Sequence, residues 1–291
     1  MSTYATSTAA VERIGRRFAE DERRRAELGL PPVSPRAAGE TNHRLEIVRR
    51  DGEHAAAPVP ERQPFATARA ASWAPVAASA HGVAVEQYRR LAGGLIRAQA
   101  EHGVKVVMIT SAVAGEGKSL TTSNLAVTLA RSYQRRTLII DADQRDPSQH
   151  KIFRADNTRG LTEHMRSFDG TPATTIELFP GLTLLPAGRA TSDPMGGLTS
   201  NRLKQLFADA AEAFDFVLID TPPVTLIPDA GLLAPLVDAA VLVISAGSTQ
   251  YEAVSRAVMT IGRERILGTV LNGADATSFG HYGYGYGPRN E

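Results

Sequence analysis

The chain has 291 residues, 43% of them hydrophobic, enough for one packed domain with extensions. Its 32 basic and 31 acidic residues leave a net charge of +1, so no global field favours nucleic acid or anionic lipid, and no nucleic-acid partner is expected. With no cysteine, disulfides, thiolate metal sites and cysteine nucleophiles are excluded.

Residues 1–82 are rich in Ala, Pro and Arg, contain no lysine and no long apolar run, and are expected to be largely disordered. Within them Val11, Ile14 and Phe18 fall at helical spacing ahead of Pro31-Pro32, which predicts a short helix over 10–28. The start of the chain lacks the basic stretch, apolar core and cleavage site of a secretory signal. No run reaches the roughly 18 apolar residues of a membrane helix; the best candidate, 232–246, is interrupted by Pro235 and Asp238. A cytoplasmic location is therefore expected, peripheral at the inner membrane only through a partner.

Order is predicted from residue 83. Val85, Tyr88, Leu91, Leu95 and Ile96 form one face of a helix over 83–101, which Gly93-Gly94 weakens by about 1 kcal/mol per glycine unless packing holds it. A strand over 104–110 follows, too uniformly apolar for a half-exposed position and suited to the centre of a sheet. Helices are predicted over 119–133, 161–168, 199–213, 226–236 and 250–262, alternating with strands over 137–140, 182–185, 216–219, 240–245 and 266–271. This alternation predicts an α/β fold, a three-layer parallel sheet with helices on both faces, spanning 83–275. The last residues, 276–291, have no apolar periodicity and are read as a flexible Gly/Tyr tail.

Between the first of these strands and its helix, Ala112-x-x-x-x-Gly117-Lys118-Ser119 has the spacing and context of a phosphate loop. Main-chain N–H groups across Ala114, Gly115, Glu116, Gly117, Lys118, Ser119 and Leu120 suit phosphate oxygens, reinforced by the helix N-terminus. Lys118 would reach the outer phosphates and the Ser119 hydroxyl a Mg²⁺ ion. Two strands end in carboxylates. One delivers Asp220 ahead of Thr221-Pro222-Pro223, and the other delivers Asp141 and Asp143, which at i and i+2 point the same way on an extended chain. The competing reading is that such acids cap the next helix or turn. A surplus carboxylate beside a nucleotide suits transfer to a hydroxyl, with Asp141 as base, and Tyr282, Tyr284 and Tyr286 in the tail offer acceptors of pKa about 10.

Residues 84–287 closely resemble the bacterial tyrosine kinases (BY-kinases) of capsule and exopolysaccharide synthesis, which share their fold with the ParA/MinD P-loop ATPases. The resemblance rests on Ser111–Ser119 as Walker A, the Asp141-x-Asp143-x-Arg145 segment continuing to His150, Asp220-Thr-Pro-Pro223 as Walker B, Leu271-Asn272, and the tyrosine tail. It implies an ATP- and Mg²⁺-dependent protein-tyrosine autokinase. Lys118, Asp141, Asp143 and Asp220 would be catalytic, Ser119, Asp143 and Asp220 would hold the metal, and Asn272 would lie near the adenine. Arg145 is a motif residue without an assigned role. Tyr282, Tyr284 and Tyr286 would be phosphorylated in trans within a homo-oligomer, with a separate membrane-spanning chain-length regulator as activator. The sequence departs from the family at Glu86-x-x-Arg89-x-x-Ala92, where the oligomerisation motif ends in arginine; Arg90 is the available substitute. Two other readings are a regulatory ATP-binding partner of a polysaccharide export system with little kinase activity, and a ParA/MinD-like partitioning ATPase. The second is disfavoured by Val113, which stands where those proteins carry an extra lysine.

Overall fold

A computed structural model describes residues 46–48, 83–166, 173–191, 201–224 and 228–274. The predicted helix over 10–28 and the tyrosine tail lie outside these residues. Helix α1 (Val83–His102) leads into β2 (Val106–Ser111), α2 (Lys118–Ser132) and β3 (Thr137–Asp141). Short helices α3 (Gln149–Phe153) and α4 (Leu161–Arg166) precede β4 (Thr174–Phe179) and β5 (Leu182–Leu185). The chain continues through α5 (Asn201–Ala213), β6 (Phe216–Asp220), α6 (Pro228–Leu233), β7 (Ala239–Ser245), α7 (Tyr251–Ile261) and β8 (Ile266–Asn272). Strand β1 (Glu46–Val48) falls within the extension.

The period-2 alternation of the strands builds the layers. In β2, Val106 and Met108 join one apolar cluster while Val107 and Ile109 join another. Leu138 and Ile140 of β3, and Val217 and Ile219 of β6, face the first cluster; Ile139, Phe216 and Leu218 face the second. The first layer is closed by Leu203, Leu206 and Phe207 of α5 and by Ala253, Ala257 and Ile261 of α7. The second is closed by Ala92, Leu95 and Ala98 of α1 and by Leu125 to Ala130 of α2. Gly93 and Gly94 are tolerated in α1 because this packing, rather than intrinsic propensity, holds the helix. Ala92 is fully buried, so the position where the family motif ends in arginine faces the core. Upstream, Glu86 and Arg89 pair with each other at the surface.

The eight strands lie in the order β1-β4-β5-β3-β6-β2-β7-β8. Every pairing is parallel except β4 with β5, which are antiparallel across the tight turn at Gly181. The expected parallel sheet is thus found, with one antiparallel addition: β4 has no counterpart among the predicted strands and forms a hairpin with β5. The five-residue α3 is likewise additional. β1 adds a parallel strand outside β4, pairing Glu46 with Thr174.

Helix α2 is buried on nearly every side although it is rich in Ser and Thr. Its hydroxyls bond back one turn: Thr122 Oγ1 donates to Lys118 O and Thr128 Oγ1 to Asn124 O. Asn124 Nδ2 does the same to Leu120 O, so few of these polar groups need a partner outside the helix. Among the described residues no helix is long and apolar enough to cross a membrane.

Candidate functional site

β2 lies between β6 and β7, and β6 lies between β2 and β3. The loop after β2 therefore emerges beside the ends of β3 and β6, the place where open α/β sheets bind ligands. Gly115 and Gly117 both take positive φ, +83° and +87°, a backbone region that suits glycine. A side chain at Gly117 would also displace the Asn272 amide, which its Cβ would overlap. Ala114 and Gly115 are exposed at the loop tip, while Ser119 and Leu120 begin the buried helix.

Lys118 places its ammonium against the strand-end carboxylates. Its Nζ donates to Asp143 Oδ2 at 2.7 Å and to Ser119 Oγ at 3.3 Å, and lies 4.0 Å from Asp220 Oδ1. Burial pulls the ammonium pKa down, but the charges of Asp220 and Asp143 outweigh it and hold the group above its usual value. Asp141 and Asp220 are directly paired in the β3–β6 ladder, and both are fully buried. Burial, then the neighbouring Asp220 charge, raises the Asp141 carboxyl well above the usual range, against the Gln149 N–H that favours its ionised form. Burial also raises Asp220, offset in part by Lys118.

The capping reading of the Asp141/Asp143 pair is realised by one oxygen of each. Asp141 Oδ2 accepts from the N–H groups of Ser148 and Gln149 at 3.1 and 3.0 Å, tying down the start of α3. Asp143 Oδ1 accepts from Asp146 N at 3.1 Å and closes a turn. The other oxygens are not used in this way: Asp143 Oδ2 holds Lys118, and Asp141 Oδ1 has no hydrogen-bond partner. Asp220 Oδ1 is also buried without one.

The orphaned Asp220 oxygen fits a divalent cation, and the orphaned Asp141 oxygen fits a proton. Buried carboxylate oxygens that receive no hydrogen bond are costly unless a cation or proton compensates them. Among the described residues no group of three His, Cys, Asp or Glu forms a metal cage by itself. That suits Mg²⁺, which binds through one or two carboxylates and completes its shell with phosphate oxygens and water.

The other flank of the loop is held differently. Glu116 is 2% exposed, and its carboxylate accepts from Val113 N at 2.7 Å, Ser245 N at 3.2 Å and Thr249 Oγ1. Its side chain is thus spent on fixing the loop to the end of β7. Asn272 Nδ2 donates to Glu116 O at 2.9 Å, which seats this residue of β8 against the loop itself. Arg145 is exposed beside the site.

Sequence reasoning assigned no role to Gln149, whose buried amide reaches Asp220 Oδ2 and Ser119 O. The signal was present as a glutamine opening a helix within the Asp141–His150 motif, but its partners are far away in sequence.

A family model described as ParA, NUBPL iron-transfer P-loop NTPase, matches residues 103–277. The iron-transfer part of that description has no thiolate ligands to draw on here, because the sequence contains no cysteine. Tyrosine-protein kinase YwqD of Bacillus subtilis (strain 168) is 36% identical over 208 residues, covering 70% of this chain and 87% of the relative. Putative tyrosine-protein kinase CapB of Staphylococcus aureus is 33% identical, covering 69% and 90%. The kinase domain of Escherichia coli tyrosine kinase ETK superposes with a TM-score of 0.60 at 29% identity, covering 70% of this chain and 80% of that domain. The phosphate loop, the paired strand-end carboxylates and these relatives together place the chain among the bacterial tyrosine-protein kinases, built on the ParA-type P-loop NTPase fold.

Proposed function

We propose that this protein is an ATP-dependent protein-tyrosine autokinase that phosphorylates Tyr282, Tyr284 and Tyr286 in a second copy of the chain. One observation carries the reading: a lysine on the phosphate-loop helix and three carboxylates from adjacent strands converge at one sheet edge, and Asp141 keeps one oxygen unpaired. A hydrolase needs to position water, whereas this site holds a carboxylate beyond those required for a metal.

Asp143, Asp220 and the Ser119 hydroxyl would hold Mg²⁺, which when bound neutralises charge developing on the β- and γ-phosphates. Lys118 exchanges Asp143 for phosphate oxygens, since its ammonium is already poised within reach of the loop. Asp141 Oδ1 takes the proton of the incoming phenol. Its raised proton affinity makes it a stronger acceptor than an exposed carboxylate. The phenolic oxygen then bonds to the γ-phosphorus as the bond from that phosphorus to the β–γ bridging oxygen breaks, releasing ADP.

The kinase unit spans 83–275, flanked by the 1–82 extension and the 276–291 tail. Its role is the control of exopolysaccharide or capsule synthesis and export, at the cytoplasmic side of the inner membrane. A separate membrane-spanning chain-length regulator serves as activator. Because Ala92 is buried, any contact between copies through α1 uses its exposed face, which carries Glu86 and Arg90.

The test is incubation of the full chain with Mg·ATP, with and without the cytoplasmic part of a candidate regulator, followed by phosphotyrosine mapping by mass spectrometry. Modification of the tail tyrosines, lost in Lys118→Ala and Asp141→Asn, is expected. Phosphate release without phosphotyrosine in either condition would overturn the kinase reading in favour of an ATPase.

A further inference from the structure

Gln149 opens α3 and is fully buried, although glutamine is rarely found so deep without a purpose for both ends of its amide. Its Nε2 donates to Asp220 Oδ2 at 2.7 Å and to Ser119 O at 3.0 Å. At the other end Ser123 Oγ lies 2.8 Å from its Oε1. The same hydroxyl lies 2.8 Å from Ser119 O, so its single hydrogen serves one acceptor at a time. The main-chain N–H of Gln149 donates to Asp141 Oδ2 at 3.0 Å.

These contacts permit one orientation of the amide. Turned over, it would press Oε1 against a carboxylate and a carbonyl and leave two hydrogens facing a hydroxyl. One residue therefore holds one oxygen of each carboxylate in a directly paired, mutually repelling couple. Donation from Gln149 favours the ionised form of both Asp141 and Asp220, opposing the burial that disfavours it. It does so without a charge. A lysine or arginine in this place would donate as well but would also compete with a metal cation for the same carboxylates.

We propose that Gln149 is a positioning residue for the metal-dependent step, its amide and main chain together fixing Asp220 and Asp141 by Oδ2 so that Oδ1 of each stays available. This rests on the reading of the site as a Mg·ATP-dependent kinase. The link is one that no local pattern carries: it joins the strand ends of β3 and β6 to the first turn of α2, where the phosphate-binding Lys118 and Ser119 sit.

The test uses the full chain with Gln149→Met, which keeps the volume and removes the donors, and Gln149→Glu, which replaces donors by an acceptor. Affinity for a fluorescent ATP analogue is measured without metal and across a Mg²⁺ titration, beside kcat and KM for tyrosine phosphorylation. The expected result is unchanged metal-free affinity, a Mg²⁺ midpoint raised by about 10–100-fold, the usual effect of losing an outer partner of a metal ligand, and kcat reduced in parallel. Ser123→Ala, which frees only the Oε1 end, should shift the midpoint in the same direction by less, and it decides the matter if neither Gln149 variant folds. A folded variant with an unshifted midpoint, or equal loss of metal-free and metal-bound affinity, overturns the proposal. Failure of the kinase reading looks different: wild type would bind Mg·ATP without making phosphotyrosine, while the midpoints still judge Gln149.

Discussion

The two flanks of the phosphate loop are built on opposite principles. On the β7/β8 side, the buried Glu116 carboxylate meets three donors, and Asn272 ties the loop carbonyl to the last strand. On the β3/β6 side, three carboxylates share one ammonium, and two of their oxygens are buried with no hydrogen bond. The first flank is settled without a ligand and serves as a frame. The second holds charge that burial and mutual repulsion disfavour, so the fold carries a cost there that a nucleotide and cation would relieve.

The sharpest way to break this comparison is Asp141→Asn. Removing the proposed base should lower phosphotransfer by about 10²–10⁴-fold. The same change should stabilise the unliganded protein. A carboxyl whose pKa is raised by folding binds more proton in the folded state, so it subtracts stability as pH climbs from its unfolded value of about 3.9. The amide oxygen can still accept from Ser148 and Gln149, and each kcal/mol relieved raises Tm by about 2–4 °C in a domain of this size. Thermal scans at pH 7 should show the gain, and it should vanish below about pH 4. A lower Tm at pH 7 would mean that Asp141 is not electrostatically strained.

Glu116→Ala should act in the opposite sense. It strands the Val113 N–H and loosens the link to Ser245 and Thr249, a loss of about 1–3 kcal/mol. The penalty should appear in thermal stability and in KM for ATP, with kcat falling less, because the loop loses its preset shape while the carboxylates of the other flank stay in place. An unchanged KM would show that the frame does not preorganise the loop. Asn272→Ala removes one bond of the same frame and should cost about 0.5–1.5 kcal/mol, read by denaturant midpoint at constant m.

The two flanks also differed in how far they could be read from the sequence. Lys118, Asp141, Asp143 and Asp220 were legible because each follows an apolar strand or loop pattern that fixes its place at the sheet edge. Unbroken apolar runs located β2, β3, β6 and β7 within one or two residues. The frame was not legible. Glu116 meets Ser245 and Thr249 more than a hundred residues away, contacts that only the folded sheet creates. On the other flank Gln149 was missed for the same reason, since its partner Asp220 is also distant in sequence. β4 was overlooked because Thr174–Phe179 alternates only partly and pairs antiparallel, in a chain whose rhythm otherwise implies crossovers. α3 is five residues long, too short for a helical period to register.

The smallest expected effect comes from a carboxylate at the far end of the same strand, which controls for whether pH responses belong to the site. Asp215 precedes β6 and accepts from Arg136 N at 2.8 Å and Arg136 Nη2 at 3.2 Å. Burial alone would raise its pKa, but the Arg136 bonds and charge outweigh burial and lower it. A depressed carboxyl contributes stability above its unfolded pKa of about 3.9 and loses it as pH falls through the folded value, the reverse of Asp141. Because the pair is open to solvent, Asp215→Asn should cost only about 0.2–1 kcal/mol at pH 7, and added salt should shrink the difference. The gain from Asp141→Asn, arising between fully buried groups, should persist in the same salt. If salt erased both effects equally, the electrostatic strain assigned to the β3/β6 flank would be a surface effect, and the contrast between the two sides of the loop would fail.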